Sequence, residues 1–191
     1  MKKSYVFLAN GFEEIEALTT VDVLRRAGIE TKTVTISSSL QVTGAHGIEV
    51  KADISLTEIE CNEKDIIVLP GGMPGATNLA ECSQLCDLLK QHNNNGGLIA
   101  AICASPAVVL APLGILDGKE ATCYPGFESA FSNCKKGFKP VVIDGNTITA
   151  NGPATAIPFA LAIVAQGISE EKAREVAEGM LVYNPQQDNS F

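Results

Sequence analysis

The sequence predicts an α/β protein with a mostly parallel sheet between two layers of helices, a three-layer α/β/α sandwich. Short apolar or β-branched runs alternate along the chain with segments of helical periodicity, which is typical of strands joined by crossover helices. Turn residues are abundant, with 17 Gly and 9 Pro in 191 residues, and they separate most of these segments. No repeat, linker or break in composition divides the chain, so we expect a single domain over residues 1–191.

The first half of the chain contains the best-marked helix. In chain order its predicted elements are strand Tyr5–Ala9, helix Glu13–Ala27, strand Thr31–Ile36, a small antiparallel excursion over Gly47–Ile54, and buried strand Asp65–Leu69. The helix has acidic residues in its first turn, Arg25 and Arg26 in its last turn, and Gly28 just after its end. Those charges complement the helix dipole, and a glycine at that position commonly terminates a helix.

The second half continues the alternation and then becomes less regular. Its predicted elements are a helix from Asn78 to about Gln91, strand Leu98–Ile102, buried helix Ser105–Leu113, hairpin strands Pro140–Ile143 and Thr147–Ala150, helices of about Thr155–Gln166 and Glu170–Leu181, and a loose polar tail Tyr183–Phe191. Pro106 would stand near the first position of its helix, where a missing N–H is tolerated.

Composition excludes several functional classes. A net charge of −8 would repel phosphate groups, so nucleic acid and anionic membranes are not expected as partners. The run from Ile157 to Ala165 is far shorter than the roughly 20 residues that span a bilayer. The N-terminus lacks the pattern of a signal peptide, and the six cysteines contain no CxxC pair. We therefore expect a cytoplasmic protein with reduced thiols and no disulfide framework.

Candidate chemistry lies in three segments that directly follow predicted strands. They are Asn10–Glu16, Pro70–Gly72 and Cys103–Pro106. In open parallel sheets, ligands bind beyond the carboxyl ends of the strands. We therefore expect these three segments to open on the same edge of the sheet.

Cys103 is the strongest candidate for a nucleophile. Strand Leu98–Ile102 leads directly into it and a helix is predicted after it, with small residues on both sides that permit a sharp strand–turn–helix elbow. A helix N-terminus favours a thiolate, so we expect a lowered pKa for Cys103. The alternative is that Cys103 is a small core residue, as most free cysteines are.

Two further groups could act with this thiol. Gly71 and Gly72 follow a strand, and the N–H groups of Gly72 and Ala104 are candidates for an oxyanion site; the alternative is a simple turn. Glu16 is flanked by apolar residues, and burial would raise its pKa, so that it could carry a proton for the thiol. Glu13 and Glu14, by contrast, are explained as first-turn acids.

The histidines and the remaining cysteines do not form a recognisable site. His92 closes the helix before strand Leu98–Ile102, so we expect it at the opposite edge of the sheet, about 17 Å from the elbow. A hydrolytic triad is therefore disfavoured. Cys82 and Cys86 share a helix face, but no histidine completes a zinc pattern. Three cysteines are interpreted as structural or incidental because no companion ligand is apparent: Cys61, Cys123 and Cys134. No metal and no cofactor are expected.

Five motifs in order closely resemble the ThiJ/PfpI superfamily, in the branch that contains the Parkinson-disease protein DJ-one and its bacterial relatives. They are Asn10–Glu16 (NGFEEIE), Val21–Gly28 (VDVLRRAG), Val68–Gly72 (VLPGG), Gly97–Ala104 (GLIAAICA) and Asn151–Thr155 (NGPAT). The resemblance implies a flavodoxin-like fold shared with class I glutamine amidotransferases, a homodimer, and an oxidation-sensitive Cys103. It also implies a protonated Glu16 hydrogen-bonded to Cys103.

Several positions depart from this pattern. Relatives in the intracellular-protease branch carry His directly after the cysteine, whereas Ala104 stands here, so protease activity is not expected. Tyr124 replaces a histidine of human-type sequences, and His46 and Asn151 stand where those sequences have Arg. From the resemblance we expect Gly71, Tyr124, Asn10 and Pro153 to line the pocket, and we expect His46 and Arg26 to form a possible anion site.

Two functions follow from the resemblance. The first is a cofactor-independent glyoxalase III or deglycase acting on methylglyoxal-like α-oxoaldehydes or glycated groups, with Cys103 as nucleophile and Glu16 as acid and base. The alternative is a redox-sensing stress-response chaperone in which Cys103 is oxidised to a sulfinate. Biosynthesis of a small molecule, as the ThiJ name suggests, has no supporting motif.

Overall fold

The protein is described over residues 2–182 by a computed structural model. The strands are β1 (Lys3–Leu8), β2 (Glu30–Thr35), β3 (Gln41–Thr43), β4 (Glu49–Lys51), β5 (Ile54–Ser55), β6 (Ile66–Leu69), β7 (Leu98–Ile102), β8 (Glu120–Ala121), β9 (Lys135–Lys136), β10 (Val141–Asp144) and β11 (Thr147–Ala150). The helices are α1 (Glu14–Arg26), α2 (Gly75–Glu81), α3 (Ser83–Asn94), α4 (Ala156–Gly167) and α5 (Glu170–Gly179). The tail predicted over Tyr183–Phe191 lies outside the described residues.

The central sheet has seven strands in the order β10-β11-β7-β6-β1-β2-β5. Every neighbouring pair is parallel except the hairpin of β10 and β11. The mostly parallel sheet of the prediction is therefore confirmed. Because β1, β6 and β7 are parallel neighbours, the segments that follow them emerge at one edge, which we call the carboxyl edge.

Both faces of the sheet are buried, which confirms the three layers. In β1, Val6 and Leu8 join one apolar cluster, whereas Tyr5 and Phe7 join the other. The first cluster includes residues of α1 and α4, such as Phe159, and the second includes residues of α2 and α3. Strand side chains alternate between the two faces, so a strand covered on both sides contains a continuous apolar run.

Three predicted elements were wrong in detail. The helix expected from Asn78 to Gln91 is two helices, because Cys82 has an extended backbone that ends α2 and begins α3. The helix expected over Ser105–Leu113 is only a π-helical turn, Pro106–Leu110, and Gly114, with φ of +72°, lies in the turns that follow.

The antiparallel excursion is the third difference. It is the hairpin of β3 and β4, whereas Ile54–Ser55 pairs in parallel with β2 as an edge strand. Among residues 2–182, no helix is both long and apolar enough to cross a membrane.

Candidate active site

Cys103 lies directly after β7 in a sharp elbow. Its φ is +65°, a left-handed conformation that is uncommon for residues other than glycine and costs about 1–3 kcal/mol. Two backbone hydrogen bonds hold it there: the Cys103 N–H donates to the Ala150 carbonyl at 2.8 Å, and the Tyr124 N–H donates to the Cys103 carbonyl at 2.7 Å. The neighbouring strand and loop thus fix the direction of the thiol.

The loop after β6 packs directly on this elbow. The Ser105 hydroxyl donates to the Pro70 carbonyl at 2.5 Å, and the Gly71 N–H donates to Glu16 Oε2 at 2.7 Å. A Cβ at Gly71 would lie 2.6 Å from Cys103 Cβ and 2.9 Å from Glu16 Oε2. Only glycine therefore lets Cys103 and Glu16 approach each other across this loop.

Glu16 is fully buried on the inner face of α1. Burial raises its pKa to about 7, and the Gly71 N–H and the Cys103 thiol oppose that rise. Oε2 accepts the Gly71 hydrogen bond. Oε1 is buried, and no group among the described residues forms a hydrogen bond with it. Oε1 is therefore the oxygen that is available to carry a proton.

Cys103 is 8% exposed, and the pKa of its thiol is raised to about 12. Burial is the largest cause, followed by the charge of Glu16 and the hydrogen bond to it; the N–H groups of Gly72 and Ala104 act in the opposite direction. The lowered pKa predicted from a helix N-terminus was wrong. The segment after Cys103 is one short π-helical turn, and its weak dipole does not outweigh burial beside an acid.

The protonation of the acid affects the thiol. When Glu16 is protonated, its negative charge disappears, and with it the repulsion that disfavours a thiolate on Cys103. The two N–H groups that face the sulfur then stabilise negative charge there. A thiolate therefore forms most readily beside a neutral Glu16, which stands ready to return the proton.

The Gly72 N–H is held in place by a second tight contact. Gly72 has φ of +87°, and a Cβ there would lie 2.4 Å from the Glu13 nitrogen. The Glu13 N–H in turn donates to the Gly71 carbonyl at 2.9 Å. The start of α1 and the loop after β6 are thus locked together, which fixes both the acid and an N–H donor.

The expected pocket residues divide into two groups. Tyr124 is 44% exposed, and its ring lies beside Gly152, where a Cβ would approach it at 3.4 Å; Pro153 begins the next helical turn. Asn10 instead accepts a hydrogen bond from the Thr43 N–H and lines a separate cavity of about 380 Å³.

His46 and Arg26 do not form the expected anion site. His46 Nδ1 lies 2.8 Å from Glu14 Oε2, whereas Arg26 pairs with Asp22 at the far end of α1. Glu14 and His46 with Glu13 are the one group of three potential metal ligands that the structure places together within residues 2–182. Both oxygens of Glu14 already accept hydrogen bonds from the hairpin, so this contact ties the hairpin to α1.

Sequence reasoning missed two contacts that organise the site. The Gly71 N–H orients Glu16, and the Ser105 hydroxyl joins the two loops. The Gly-Gly pair after a buried strand was the only signal for the first contact. The second depends on a side-chain direction that no local pattern contains.

Comparison with known proteins decides the family. Residues 2–166 match the model of the DJ-1/PfpI family. The chain belongs to the DJ-1/PfpI family. This confirms the resemblance to the ThiJ/PfpI superfamily and its DJ-one branch.

Several DJ-1 relatives are similar over nearly the whole chain. Protein dj-1beta of Drosophila melanogaster is 42% identical over 96% of this chain and 99% of its own length. Protein DJ-1 homolog B of Arabidopsis thaliana is 38% identical over 100% of this chain, which spans only 43% of that relative. Glutathione-independent glyoxalase DJR-1.2 of Caenorhabditis elegans is 41% identical over 80% of this chain and 81% of its own length.

The fold also agrees with a solved DJ-1 structure. Oxidized DJ-1 of Toxoplasma gondii superposes with a TM-score of 0.92 at 38% identity, over 96% of this chain and 100% of that chain. The flavodoxin-like α/β architecture expected from the resemblance is thereby confirmed.

Proposed function

We propose that the protein is a cofactor-independent glyoxalase III or deglycase that acts on methylglyoxal-like α-oxoaldehydes or their adducts. The observation that carries this proposal is the buried Glu16 carboxyl, whose pKa of about 7 lets it hold and release a proton beside the Cys103 thiol at neutral pH. The C. elegans relative, named as a glutathione-independent glyoxalase, supports the substrate class.

The first step is addition of the thiol to the aldehyde. The Cys103 sulfur forms a bond to the aldehyde carbon, the carbon–oxygen π bond opens, and Glu16 delivers the proton that the thiol surrendered, which gives a hemithioacetal. The N–H groups of Gly72 and Ala104 would stabilise the oxygen while it carries negative charge.

The following steps redistribute hydrogen without an outside oxidant. Glu16 removes the proton from the former aldehyde carbon, and the ketone oxygen takes up the proton that the hydroxyl on that carbon gives up, through an enediol. Glu16 then returns its proton to the former ketone carbon. The product is a lactate thioester on Cys103. Water then attacks the thioester carbonyl, lactate leaves, and the thiol regains its proton. For a glycated group, the same thiol would attack the carbon that carries the amine or thiol adduct and release that group.

The test is formation of lactate from methylglyoxal without glutathione. We expect turnover by the wild-type chain and none by Cys103→Ser, because a hydroxyl cannot replace the thiol as nucleophile here. Cys134→Ser is the matched control, since Cys134 is a partly buried thiol that donates to the Lys135 carbonyl and not to a residue of the site. Equal turnover in Cys103→Ser and wild type would refute the mechanism.

A redox-sensing chaperone is the second candidate, favoured by one specific observation. The T. gondii relative of this fold was solved in an oxidized form. In this chain the same N–H groups and the protonated Glu16 would stabilise a sulfinate on Cys103. Mass spectrometry after mild peroxide treatment distinguishes the candidates: selective oxidation of Cys103 without steady-state turnover of methylglyoxal would favour the sensor.

We also propose a homodimer in which α1 and the adjacent hairpin contact a second copy. Ile15 and Leu18, one turn apart on α1, are 56% and 39% exposed, and Ile48 on the hairpin is 53% exposed. The Ile48 N–H donates to Glu14, so the hairpin lies beside the start of α1, and burial of these exposed apolar side chains would favour association. Light scattering should show Ile48→Asp as a monomer, with the edge-strand variant Ile143→Asp as control.

A cytoplasmic location stays a prediction.

A further inference from the structure

A second thiol of the chain lies against an imidazole at the amino edge of the sheet. Cys61 precedes β6, His92 is near the end of α3, and Cys61 Sγ lies 3.8 Å from His92 Nδ1. The position of His92, opposite the elbow, agrees with the sequence prediction. Local sequence did not indicate this neighbour of Cys61, because the two residues are 31 positions apart.

Packing fixes the His92 ring beside the sulfur. His92 is 4% exposed. Nε2 is buried, and no group among the described residues forms a hydrogen bond with it. A Cβ at Gly97 would lie 2.3 Å from the ring, so the backbone at Gly97 holds the imidazole with Nδ1 directed at the sulfur.

A cavity adjoins both side chains. It measures about 230 Å³, and its lining residues include Cys61, His92, Asn62, Glu63 and Gln91. The cavity is large enough for a small ion and an additional ligand such as water. The thiol is therefore accessible from solvent on one side, although the imidazole beside it is not.

The distance between the two atoms suits a shared metal ion. Metal bonds to sulfur and to imidazole nitrogen are about 2.3 and 2.0–2.1 Å long. With those lengths, a separation of 3.8 Å corresponds to a sulfur–metal–nitrogen angle of roughly 120°. An angle of this size is typical of trigonal coordination. The third coordination position would then be taken by another ligand, such as water.

We propose that Cys61 Sγ and His92 Nδ1 together bind one soft monovalent cation of the Cu(I) class. Thiolate and imidazole are ligands that suit soft metal ions, and Cu(I) accepts two or three ligands. The step is a substitution without electron transfer: the sulfur–hydrogen bond breaks, bonds from sulfur and Nδ1 to the metal form, and one proton leaves to solvent. Within the described residues, these two side chains do not belong to a group of three such ligands, as tetrahedral zinc would require.

Covalent catalysis at Cys61 is a weaker interpretation of the same geometry. Burial and the charge of Asp65 raise the pKa of the Cys61 thiol to about 12, so a free thiolate is scarce at neutral pH. A thiophilic ion does not need a pre-formed thiolate, because it displaces the proton as it binds. The site is also independent of Cys103 and of the function proposed above.

The test is anaerobic titration of the full-length protein with Cu(I) against a coloured Cu(I) chelator. To remove competition from the catalytic thiol, all variants carry Cys103→Ser. We expect one ion per chain held against the chelator, and a loss of at least about tenfold in affinity for Cys61→Ser and for His92→Gln. Cys134→Ser should leave the binding unchanged, because within residues 2–182 that thiol donates to the Lys135 carbonyl and not to an imidazole.

A second measurement covers the case in which His92→Gln fails to fold. The His92 imidazole resonances of the protein with native His92 should shift on addition of one equivalent of Cu(I), while those of His46 stay in place. Retention of the bound ion in Cys61→Ser, or binding without a change in the His92 resonances, would overturn the proposal. Turnover of methylglyoxal is measured in chains that keep the native Cys103. Unchanged turnover by Cys61→Ser in such a chain would separate this site from the proposed enzyme site.

Discussion

Two thiols at opposite edges of one sheet have different partners. Cys103, at the carboxyl edge, lies beside the carboxyl of Glu16 and faces two backbone N–H groups. Cys61, at the amino edge, lies against the imidazole of His92. Burial raises the pKa of both thiols to about 12. The reactivity of each thiol therefore depends on its partner, and only Cys103 has an acid that can return a proton and donors for a developing oxyanion.

The comparison extends to the glycines that make each pairing possible. Gly71 leaves space for Cys103 and Glu16, and Gly97 leaves space for the His92 ring. In both places a side chain that carries chemistry occupies the volume of an absent Cβ. Replacing each glycine in turn with alanine can therefore perturb one site while leaving the other intact.

Gly71→Ala should have the largest effect. The new methyl group would lie 2.6 Å from Cys103 Cβ, so the thiol or Glu16 must move. A displacement of about 1 Å at a reacting group can cost about 100-fold in rate. We expect a fall of that size in methylglyoxal turnover, measured as kcat, with the Cu(I) affinity of the Cys61 site retained.

Gly97→Ala is the reciprocal variant, and Gly179→Ala is the control. The Gly97 variant should weaken Cu(I) binding and leave the chemistry at Cys103 intact. Thermal unfolding checks that this variant is folded. Within residues 2–182, no atom outside the helix itself lies within 4 Å of the position of a Cβ at Gly179, so alanine there should change neither property. Equal turnover in Gly71→Ala and Gly179→Ala would mean that the close packing at Gly71 is not needed for the reaction.

Glu16→Gln should remove a pH dependence of stability. The Glu16 pKa is about 7 in the folded protein and 4.5 ordinarily, so the folded state binds more protons between these values. Its contribution therefore lowers the free energy of unfolding as pH rises from about 4.5 to 7, by about 3 kcal/mol in total. Denaturant unfolding of Glu16→Gln, which has no proton to lose, should lack this decline and should exceed the wild-type stability above pH 7.

Glu14→Gln is the matched comparison, two residues away on the same helix. Burial raises the Glu14 pKa, but His46 and the N–H groups of the hairpin lower it by more, so the net pKa is below 4.5. Its contribution is present above pH 4.5 and is lost as pH falls through the lowered pKa. Glu14→Gln should therefore lower stability at pH 7. A loss of stability above pH 7 in Glu16→Gln as well would contradict the assignment of Glu16 as a destabilising buried acid.

The two edges differ in how well the sequence predicts them. The parallel strands and the three segments at the carboxyl edge follow from local patterns, because strand ends and glycine turns are encoded in neighbouring residues. The thiol pKa at Cys103 was predicted with the wrong sign, since burial and the charge of Glu16 depend on packing between distant segments. The break at Cys82 was missed for a related reason, as no proline or glycine marks it.

The amino edge was largely beyond prediction. The sequence placed His92 there through its position before β7, but the partner of His92 comes from a loop without regular structure. Cys61 lies between a short helical turn and β6, and nothing in that segment specifies which way the thiol points. Contacts between a loop and a distant helix depend on the whole fold, so side-chain pairs of this kind are found only in the structure.

The smallest expected effect concerns the two histidines, which the chain has in these two environments and nowhere else. The hydrogen bond to Glu14 and the charges of Glu13 and Glu14 raise the His46 pKa above 6.5, whereas burial lowers the His92 pKa below 6.5. Proton NMR should therefore show two ring resonances that titrate on opposite sides of pH 6.5. Glu14→Gln should move the His46 titration towards 6.5 and leave His92 unchanged. Two titrations on the same side would mean that the acid at one edge, or the burial at the other, does not set the charge of its histidine.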